Sequence, residues 1–202
     1  MEPLSLEIVR LSPDRIPDYL YFFEHVAHTD KPEWDRCYCL NFCAAGNVEE
    51  AKTLFNDPEV RRGYAADYIR QGLLQGYLAY RDGAVIGWCN ANDKNSCQQC
   101  FGNWFIHGDT VPQQDREKVK VIYCFTVAPA LRGRHVATAL LERVLSDAAK
   151  EGYDCAEAYP EKDAADVHNN FPGFRQFYEK FGFEPAGETQ KRLVYRKDLR
   201  GN

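Results

Sequence analysis

Residues 125–145, FTVAPALRGRHVATALLERVL, join an apolar segment directly to a helix-like one, and two arginines and a glycine lie at the junction. A strand that passes straight into a helix leaves the first helical amides unpaired, and these amides attract anions together with the positive end of the helix dipole. Arg132 and Arg134 add guanidinium groups that suit phosphate oxygens, while Pro129 and Gly133 allow a tight turn. The turn therefore predicts a diphosphate site, and an ordinary solvated helix start is the alternative.

The familiar phosphate-binding loops are absent from the sequence. It contains neither G-x-x-x-x-G-K-[ST] nor G-x-G-x-x-G. A P-loop ATPase and a standard Rossmann dinucleotide site are therefore not supported.

The elements that must position this turn can be read from the apolar pattern around it. Residues 119–127, VKVIYCFTV, are almost continuously apolar, which is typical of a central strand covered on both faces. The following segment has an apolar stripe at helical spacing, formed by Val136, Leu140, Val144 and Ala148. Residues 153–159, after Gly152, resume as a strand, so the order is strand, helix, strand. The sequence does not decide whether the two strands are neighbours.

The remaining elements have weaker but consistent patterns. We predict a hairpin around the Asp82-Gly83 turn, because type I′ turns favour residues that tolerate positive φ. Further strands are predicted at 4–9 and 192–199, and helices after Pro13, at 48–55, at 58–71 and in the segment FPGFRQFYEKFGF. The long polar connection 90–118 is typical of a binding loop.

Length, charge and composition exclude several classes of protein. The chain has 202 residues and a formal net charge of -5, which favours one domain over 1–202 and argues against nucleic-acid binding. No apolar run approaches the ~20 residues that cross a bilayer, and the start lacks a secretory signal. We therefore expect a cytoplasmic protein without a membrane partner; a homodimer is one assembly that the sequence leaves open.

The cysteines favour free thiols over disulfides. There are eight, and a cytoplasmic protein keeps its thiols reduced. Four thiolates from Cys37, Cys39, Cys97 and Cys100 would make a structural zinc site, but their spacing is that of neither a ribbon nor a finger. We therefore predict no metal, with a zinc-stabilised regulatory protein as an alternative.

Two segments resemble motifs of one family. Residues 121–145 resemble the acetyl-CoA-binding motif of the GNAT superfamily of N-acetyltransferases, Q/R-x-x-G-x-G/A after a strand that ends in V-x-P, with Arg132 and Ala137 at the first and last positions. Residues 177–184, FYEKFGFE, are similar to the family's aromatic-tyrosine pair followed by G-F. The resemblance implies an α/β fold of the α+β type: a mixed, mostly antiparallel twisted sheet of about six to seven strands with helices on both faces.

The resemblance also implies which residues hold acetyl-CoA. The end of the fourth strand would bind the pantetheine arm through its backbone, and the amides after it would cradle the pyrophosphate. The expected residues are Phe125, Thr126, Val127, Arg132, Gly133, Arg134, His135, Val136, Ala137, Thr138, Asn170 and Tyr178. His135 departs from the motif because it stands at the first glycine, and Asn170 lies eight residues before Tyr178 where seven is usual.

The implied reaction is acetyl transfer from acetyl-CoA to the primary amine of a small molecule or protein, by direct attack in a ternary complex. By resemblance Tyr178 is the general acid that protonates the departing thiolate. For the base, Glu157 is the candidate, with surface solvation as the alternative; Tyr123 and Cys124 are weaker candidates, and the proton can also leave along water. A non-catalytic acyl-CoA sensor is the competing class.

The acceptor amine is not identified by the sequence. Aromatic side chains and acids in the segments 28–45 and 90–118 are candidates to line its pocket. They are Trp34, Tyr38 and Trp104 as walls, and Asp30, Glu33 and Asp35 as groups that attract a cation.

Overall fold

The computed structural model describes residues 5–43, 57–98, 100–108, 114–162 and 170–201. Its strands are β1 (Glu7–Arg10), β2 (Gly76–Arg81), β3 (Ala84–Asp93), β4 (Val119–Val127), β5 (Cys155–Ala158), β6 (Glu184–Glu188) and β7 (Leu193–Asp198). Its α-helices are α1 (Ile16–His25), α2 (Pro58–Arg70), α3 (Asn103–His107), α4 (Val136–Lys150) and α5 (Arg175–Glu179). The predicted helix at 48–55 lies outside the described residues.

The seven strands form one sheet in the order β1-β2-β3-β4-β5-β7-β6. All neighbouring strands are antiparallel except β4 and β5, which are parallel. In the sequence, α4 connects these two strands. The predicted mixed, mostly antiparallel sheet with helices on both faces is therefore confirmed. The two strands of the strand-helix-strand unit are neighbours, which the sequence had left undecided.

Apolar layers on both faces of the sheet explain why β4 is apolar along most of its length. On one face, Trp88 and Tyr123 pack in a core with Tyr19 and Phe22 of α1. On the other face, Ile122 and Phe125 of β4 pack in a core with residues of α4. The apolar side chains of β4 are therefore covered on both faces of the sheet.

The sheet opens between β4 and β5. The two strands pair only from Val119–Cys155 to Ile122–Ala158, although β4 continues to Val127. The register with β3 also shifts between Asn90 and Ala91, so that Tyr123 is an extra residue in β4. A bulge of this kind bends its strand. The last five residues of β4 therefore border a gap, and this gap lies just before the start of α4.

The structure differs from the predicted elements in two places. The edge strand β6, EPAGE, was not predicted, because all its side chains are exposed and it contains Pro185 and Gly187, which are rare in strand interiors. The connection 90–118 is more regular than expected, since β3 runs to Asp93 and α3 lies within it. The hairpin turn agrees with its prediction, with φ of 51° at Asp82 and 77° at Gly83.

No helix in the described part of the chain is both long and apolar enough to cross a membrane.

Candidate functional site

The turn between β4 and α4 reverses the chain through two residues in the left-handed region. Gly133 has a φ of 73° and His135 a φ of 64°, and α4 begins at the next residue. The first hydrogen bond of the helix runs from the Ala139 amide to the His135 carbonyl, at 3.1 Å. The amides of the first helical turn before Ala139 thus have no intrahelical acceptor, which is the arrangement that an anion site at a helix start requires.

The left-handed backbone at His135 explains why the resembled motif has glycine at this position. A side chain at such a φ costs roughly 1–2 kcal/mol, because its Cβ approaches the next carbonyl oxygen. The imidazole itself is exposed. Histidine in place of the motif's glycine therefore adds backbone strain at position 135, besides reducing the space for a ligand.

We expect His135→Gly to raise the free energy of unfolding by about 1 kcal/mol, because it removes this strain. Acetyl-CoA should bind at least as tightly as to the wild type, since the amide at this position is retained. Urea unfolding and calorimetric titration measure the two quantities. A large loss of affinity would instead mean that the imidazole contacts the ligand.

A cleft of about 490 Å³ opens above this turn, and we call it the turn cleft. Ten of the twelve residues predicted to hold acetyl-CoA line it: Phe125, Thr126, Val127, Arg132, Gly133, His135, Val136, Ala137, Thr138 and Asn170. The other two, Arg134 and Tyr178, lie outside its lining. Phe171, Phe174 and Phe177 contribute apolar surface on the opposite side. The structure thus brings β4, the turn and the segment before α5 together around one cleft.

Asn170 has a side-chain amide that is ready for a ligand. Its Oδ1 and Nδ2 atoms are buried and have no hydrogen-bond partner within the described part of the chain. A buried amide left in this state is costly, so it is expected to gain a partner when the cleft fills. The one-residue shift from the motif has not taken Asn170 away from the cleft.

Arg132 is bound to an acid from a distant part of the chain. Its Nη2 lies 3.1 Å from Oδ1 of Asp30, and Nη1 contacts the other carboxylate oxygen. The hydrogen bonds from Arg132 lower the pKa of Asp30. Asp30 was a candidate to attract the acceptor amine, but in the structure its carboxylate is paired with Arg132.

Two groups that the family resemblance assigns to acetyl-CoA are hydrogen-bonded to one short segment, residues 170–173. The Phe125 amide donates to the Phe171 carbonyl at 2.7 Å, at the gap between β4 and β5. The hydroxyl of Tyr178 donates to the carbonyl of Pro172. A ligand arm that used the Phe125 amide, and a thiolate that used the Tyr178 hydroxyl, would both have to displace this segment.

Tyr178 is fully buried beside the turn cleft. A Cβ placed on Gly173, which lines the cleft, would lie 3.4 Å from its hydroxyl oxygen. Burial raises the pKa of Tyr178 well above the ordinary value of 10. The phenol is therefore protonated near neutral pH.

Glu157 is placed away from both the turn and its cleft. Its side chain is fully buried, and it pairs with Lys94 at 2.9 Å and with Arg196, while the Tyr159 hydroxyl donates to its other oxygen. Two cations and a phenol thus satisfy this carboxylate inside the protein. These contacts argue against Glu157 as the base and indicate a structural role.

A second cavity of about 280 Å³ adjoins the turn cleft, and we call it the aromatic cavity. Thr126 and Phe171 line both spaces. The walls of the aromatic cavity include five rings, from Trp34, Phe42, Phe105, Tyr123 and Phe171, and three thiols, from Cys37, Cys39 and Cys124. The two spaces therefore meet at the end of β4.

The three aromatic side chains that were candidates to line an amine pocket lie in three different places. Trp34 lines the aromatic cavity and packs edge-on against Phe171. Tyr38 is buried in the core, with its hydroxyl on Glu24 at 2.9 Å. Trp104 lies outside the cavity, where Lys191 Nζ sits 3.3 Å from its ring centroid.

His28 lines the aromatic cavity and was not predicted from the sequence. Its side chain is only 6% exposed, and Nε2 lies 3.5 Å from the sulfur of Cys37. Burial, and after it the charge of Arg132, lowers the pKa of His28 to about 4. The imidazole is therefore neutral near pH 7.

Three other residues of the same wall were not predicted as site residues either, since none belongs to a motif: Phe171, Glu161 and Arg192.

The four cysteines considered for zinc do not come together as a metal site. Cys37 and Cys39 line the aromatic cavity, and Cys97 and Cys100 do not, although Cys39, Cys97 and Cys100 belong to the same core. Burial raises the pKa of Cys100 to about 11, which favours the neutral thiol. Residues 5–43, 57–98, 100–108, 114–162 and 170–201 contain no group of three or more His, Cys, Asp or Glu side chains that could hold a metal ion.

Comparison with known families decides the relationship that the motifs suggested. A sequence profile described as "Acetyltransferase (GNAT) family" matches residues 33–183, which is more than half of the chain. The chain belongs to the GNAT family. Members of this family are acyltransferases. The match includes both the turn before α4 and the FYEKFGF segment. No curated protein matches the sequence.

Solved GNAT structures share the fold at low sequence identity. A putative GNAT acetyltransferase from Desulfovibrio desulfuricans aligns with a TM-score of 0.55 at 14% identity, over 96% of this chain and 99% of that one. An N-acetyltransferase from Staphylococcus aureus Mu50 aligns with a TM-score of 0.54 at 13% identity, over 97% and 99%. The PaiA N-acetyltransferase from Thermoplasma acidophilum, solved in complex with coenzyme A, aligns with a TM-score of 0.53 at 14% identity, over 96% and 99%.

Proposed function

We propose that the protein transfers an acetyl group from acetyl-CoA to a primary amine by direct attack in a ternary complex. The observation that carries the proposal is the meeting of two spaces at Thr126 and Phe171. One space contains the free amides of a helix start, which suit a pyrophosphate. The other is a separate cavity in which an acceptor can bind next to the thioester.

The chain offers specific groups to each part of acetyl-CoA. The amides of Val136, Ala137 and Thr138 face the pyrophosphate, and Arg132 can exchange its bond to Asp30 for a phosphate oxygen. The pantetheine arm lies along the gap between β4 and β5, where it takes the Phe125 amide from the Phe171 carbonyl. Residues 170–173 therefore move when acetyl-CoA binds, and the same movement frees the Tyr178 hydroxyl from Pro172.

The chemical step needs a donor for the leaving thiolate and a neutral amine. The amine nitrogen attacks the thioester carbonyl carbon, the carbon–sulfur bond breaks, and Tyr178 gives its proton to the thiolate sulfur. The amine loses one proton to water, and Tyr178 regains one from water. Holding both reactants at the end of β4 supplies much of the rate enhancement.

The non-catalytic sensor remains the competing proposal, and it expects a closed acceptor pocket. The aromatic cavity beside the turn cleft favours the enzyme instead. A cytoplasmic location, a homodimer and a single domain over 1–202 remain predictions from the sequence.

Binding of acetyl-CoA, followed by product detection, tests the proposal. At a concentration 100 times its dissociation constant, acetyl-CoA should stabilise the folded protein by about 2.7 kcal/mol, measured by thermal unfolding. Mass spectrometry of an amine panel then detects acetylated product. An unchanged melting temperature at millimolar acetyl-CoA would exclude both the enzyme and the sensor, whereas binding without any product would favour the sensor.

A further inference from the structure

The described lining of the aromatic cavity carries no net charge. Among its described lining residues the charged side chains are Glu161 and Arg192. Nη1 of Arg192 lies 2.5 Å from Oε1 of Glu161, so the two form an ion pair. His28, the other titratable nitrogen base in the wall, is held neutral by burial and by Arg132.

Of the three acids close to Trp34 in the chain, two are also paired, and the third, Glu33, is exposed. Asp30 is paired with Arg132, and Asp35 lies 3.6 Å from Nε of Arg36. A further positive charge stands behind the wall, since Nζ of Lys31 is 5.3 Å from the ring centroid of Phe171. In the described lining of the aromatic cavity, a ligand with several ammonium groups would thus find one carboxylate, Glu161, which is already paired with Arg192.

The apolar walls favour a different kind of ligand. Trp34 and Phe105 are partly exposed at the cavity, and Trp34 is 41% exposed, which is unusual for so large an apolar side chain. Flat rings of this kind bury an aromatic or apolar body. The volume, about 280 Å³, lies near the lower end of small-molecule pockets, which span about 300–1,000 Å³. The occupant is therefore a small molecule.

We propose that the acceptor is a small monoamine with an aromatic or apolar body, and that the aromatic cavity discriminates against polyamines and other polycations. This inference rests on the proposed acetyltransferase function. Trp34 and Phe105 bind the body of the acceptor, and its amine points toward Thr126, where the cavity meets the turn cleft. The paired charges of Glu161 and Arg192 hold the cavity neutral, which also favours the uncharged amine that must attack.

Acceptor specificity tests the inference directly. Phenylethylamine and spermidine are compared as acceptors by mass spectrometry, and as ligands of the CoA-loaded protein by calorimetry. We expect kcat/KM for phenylethylamine to exceed that for spermidine at least about tenfold, because only one of the two has an apolar body. Trp34→Ala should lower kcat/KM for phenylethylamine roughly tenfold, mainly through KM. Tyr21→Ala, which removes an exposed aromatic side chain of α1 that lines neither space, is the control and should change neither kcat/KM value.

Removing one charge from the wall tests the electrostatic part. Arg192→Gln leaves Glu161 unpaired, so the ratio of the kcat/KM values should shift toward spermidine by about tenfold. Glu161→Gln, which leaves the cation, should shift it the other way. Circular dichroism establishes that each variant is folded.

The outcomes separate this inference from the proposed function. Acetyl-CoA binding is measured in the same titrations, and its absence would reject the acetyltransferase proposal itself. If acetyl-CoA binds but the CoA-loaded protein prefers spermidine, or does not bind phenylethylamine, the inference is wrong while the proposed function stands. Binding of phenylethylamine in preference to spermidine, weakened by Trp34→Ala and not by Tyr21→Ala, supports the inference.

Discussion

Ala137→Asp should weaken acetyl-CoA binding by about 100-fold, which corresponds to about 3 kcal/mol, while leaving the folded protein at least as stable as the wild type. Ala137 lines the turn cleft in the first turn of α4. A carboxylate there faces the proposed pyrophosphate site, and like charges about 4 Å apart repel by about 4 kcal/mol at an effective dielectric constant of 20. The same carboxylate interacts favourably with the helix dipole, which offsets any cost to folding.

The matched control for this variant is Ala137→Asn, which has nearly the same shape without the charge. Calorimetric titration with acetyl-CoA and urea unfolding of all three proteins separate binding from stability. The asparagine variant should lose much less affinity than the aspartate variant. Equal affinities for the aspartate variant and the wild type would mean that the pyrophosphate does not bind at this helix start.

Tyr178→Phe should lower kcat by about 10²–10⁴-fold, the usual contribution of a general acid. The ring stays packed against Phe177 and Phe183, so the variant should fold. It loses one hydrogen bond, to the Pro172 carbonyl, which is expected to cost about 1 kcal/mol of stability. Acetyl-CoA affinity should fall little, because the phenol acts on the leaving sulfur.

Tyr195→Phe controls for the loss of a buried tyrosine hydroxyl. Tyr195 is buried in β7 and donates to Glu179 at 3.0 Å, and it lines neither of the two spaces. Both variants should lose similar stability, whereas only Tyr178→Phe should lose turnover in steady-state assays with the best acceptor. Equal kcat values in the two variants would exclude Tyr178 as the acid and leave it a structural residue.

The residues around the turn show how much local sequence predicts. The strand 119–127 and the following helix have the predicted positions, because continuous apolar residues and a helical stripe are properties of neighbours in the chain. Ten of the twelve residues expected around acetyl-CoA line one cleft, since most of them belong to that same short unit. The left-handed φ of His135 was not predicted, although the motif has glycine at this position.

The contacts of Glu157 show where local patterns stop. Its position in a strand was predicted, but its neighbours were not: Arg196 reaches it from β7, and Lys94 from the end of β3. The strand β6 was missed for a related reason. Its exposed residues bury no apolar face, and pairing with β7 is what makes the segment a strand.

The sequence by itself indicated the family, the turn before α4 and most of the residues that line the turn cleft. These features depend on residues that are close together in the chain. The tertiary structure decided which groups are available: the bond between Arg132 and Asp30 joins residues 102 positions apart, and the carbonyls of 171 and 172 meet Phe125 and Tyr178. The aromatic cavity has the same origin, since its walls come from segments that only the folded sheet and its neighbouring loops bring together. Burial and pairing set the charge of each group there, and neither can be calculated from residue type and spacing alone.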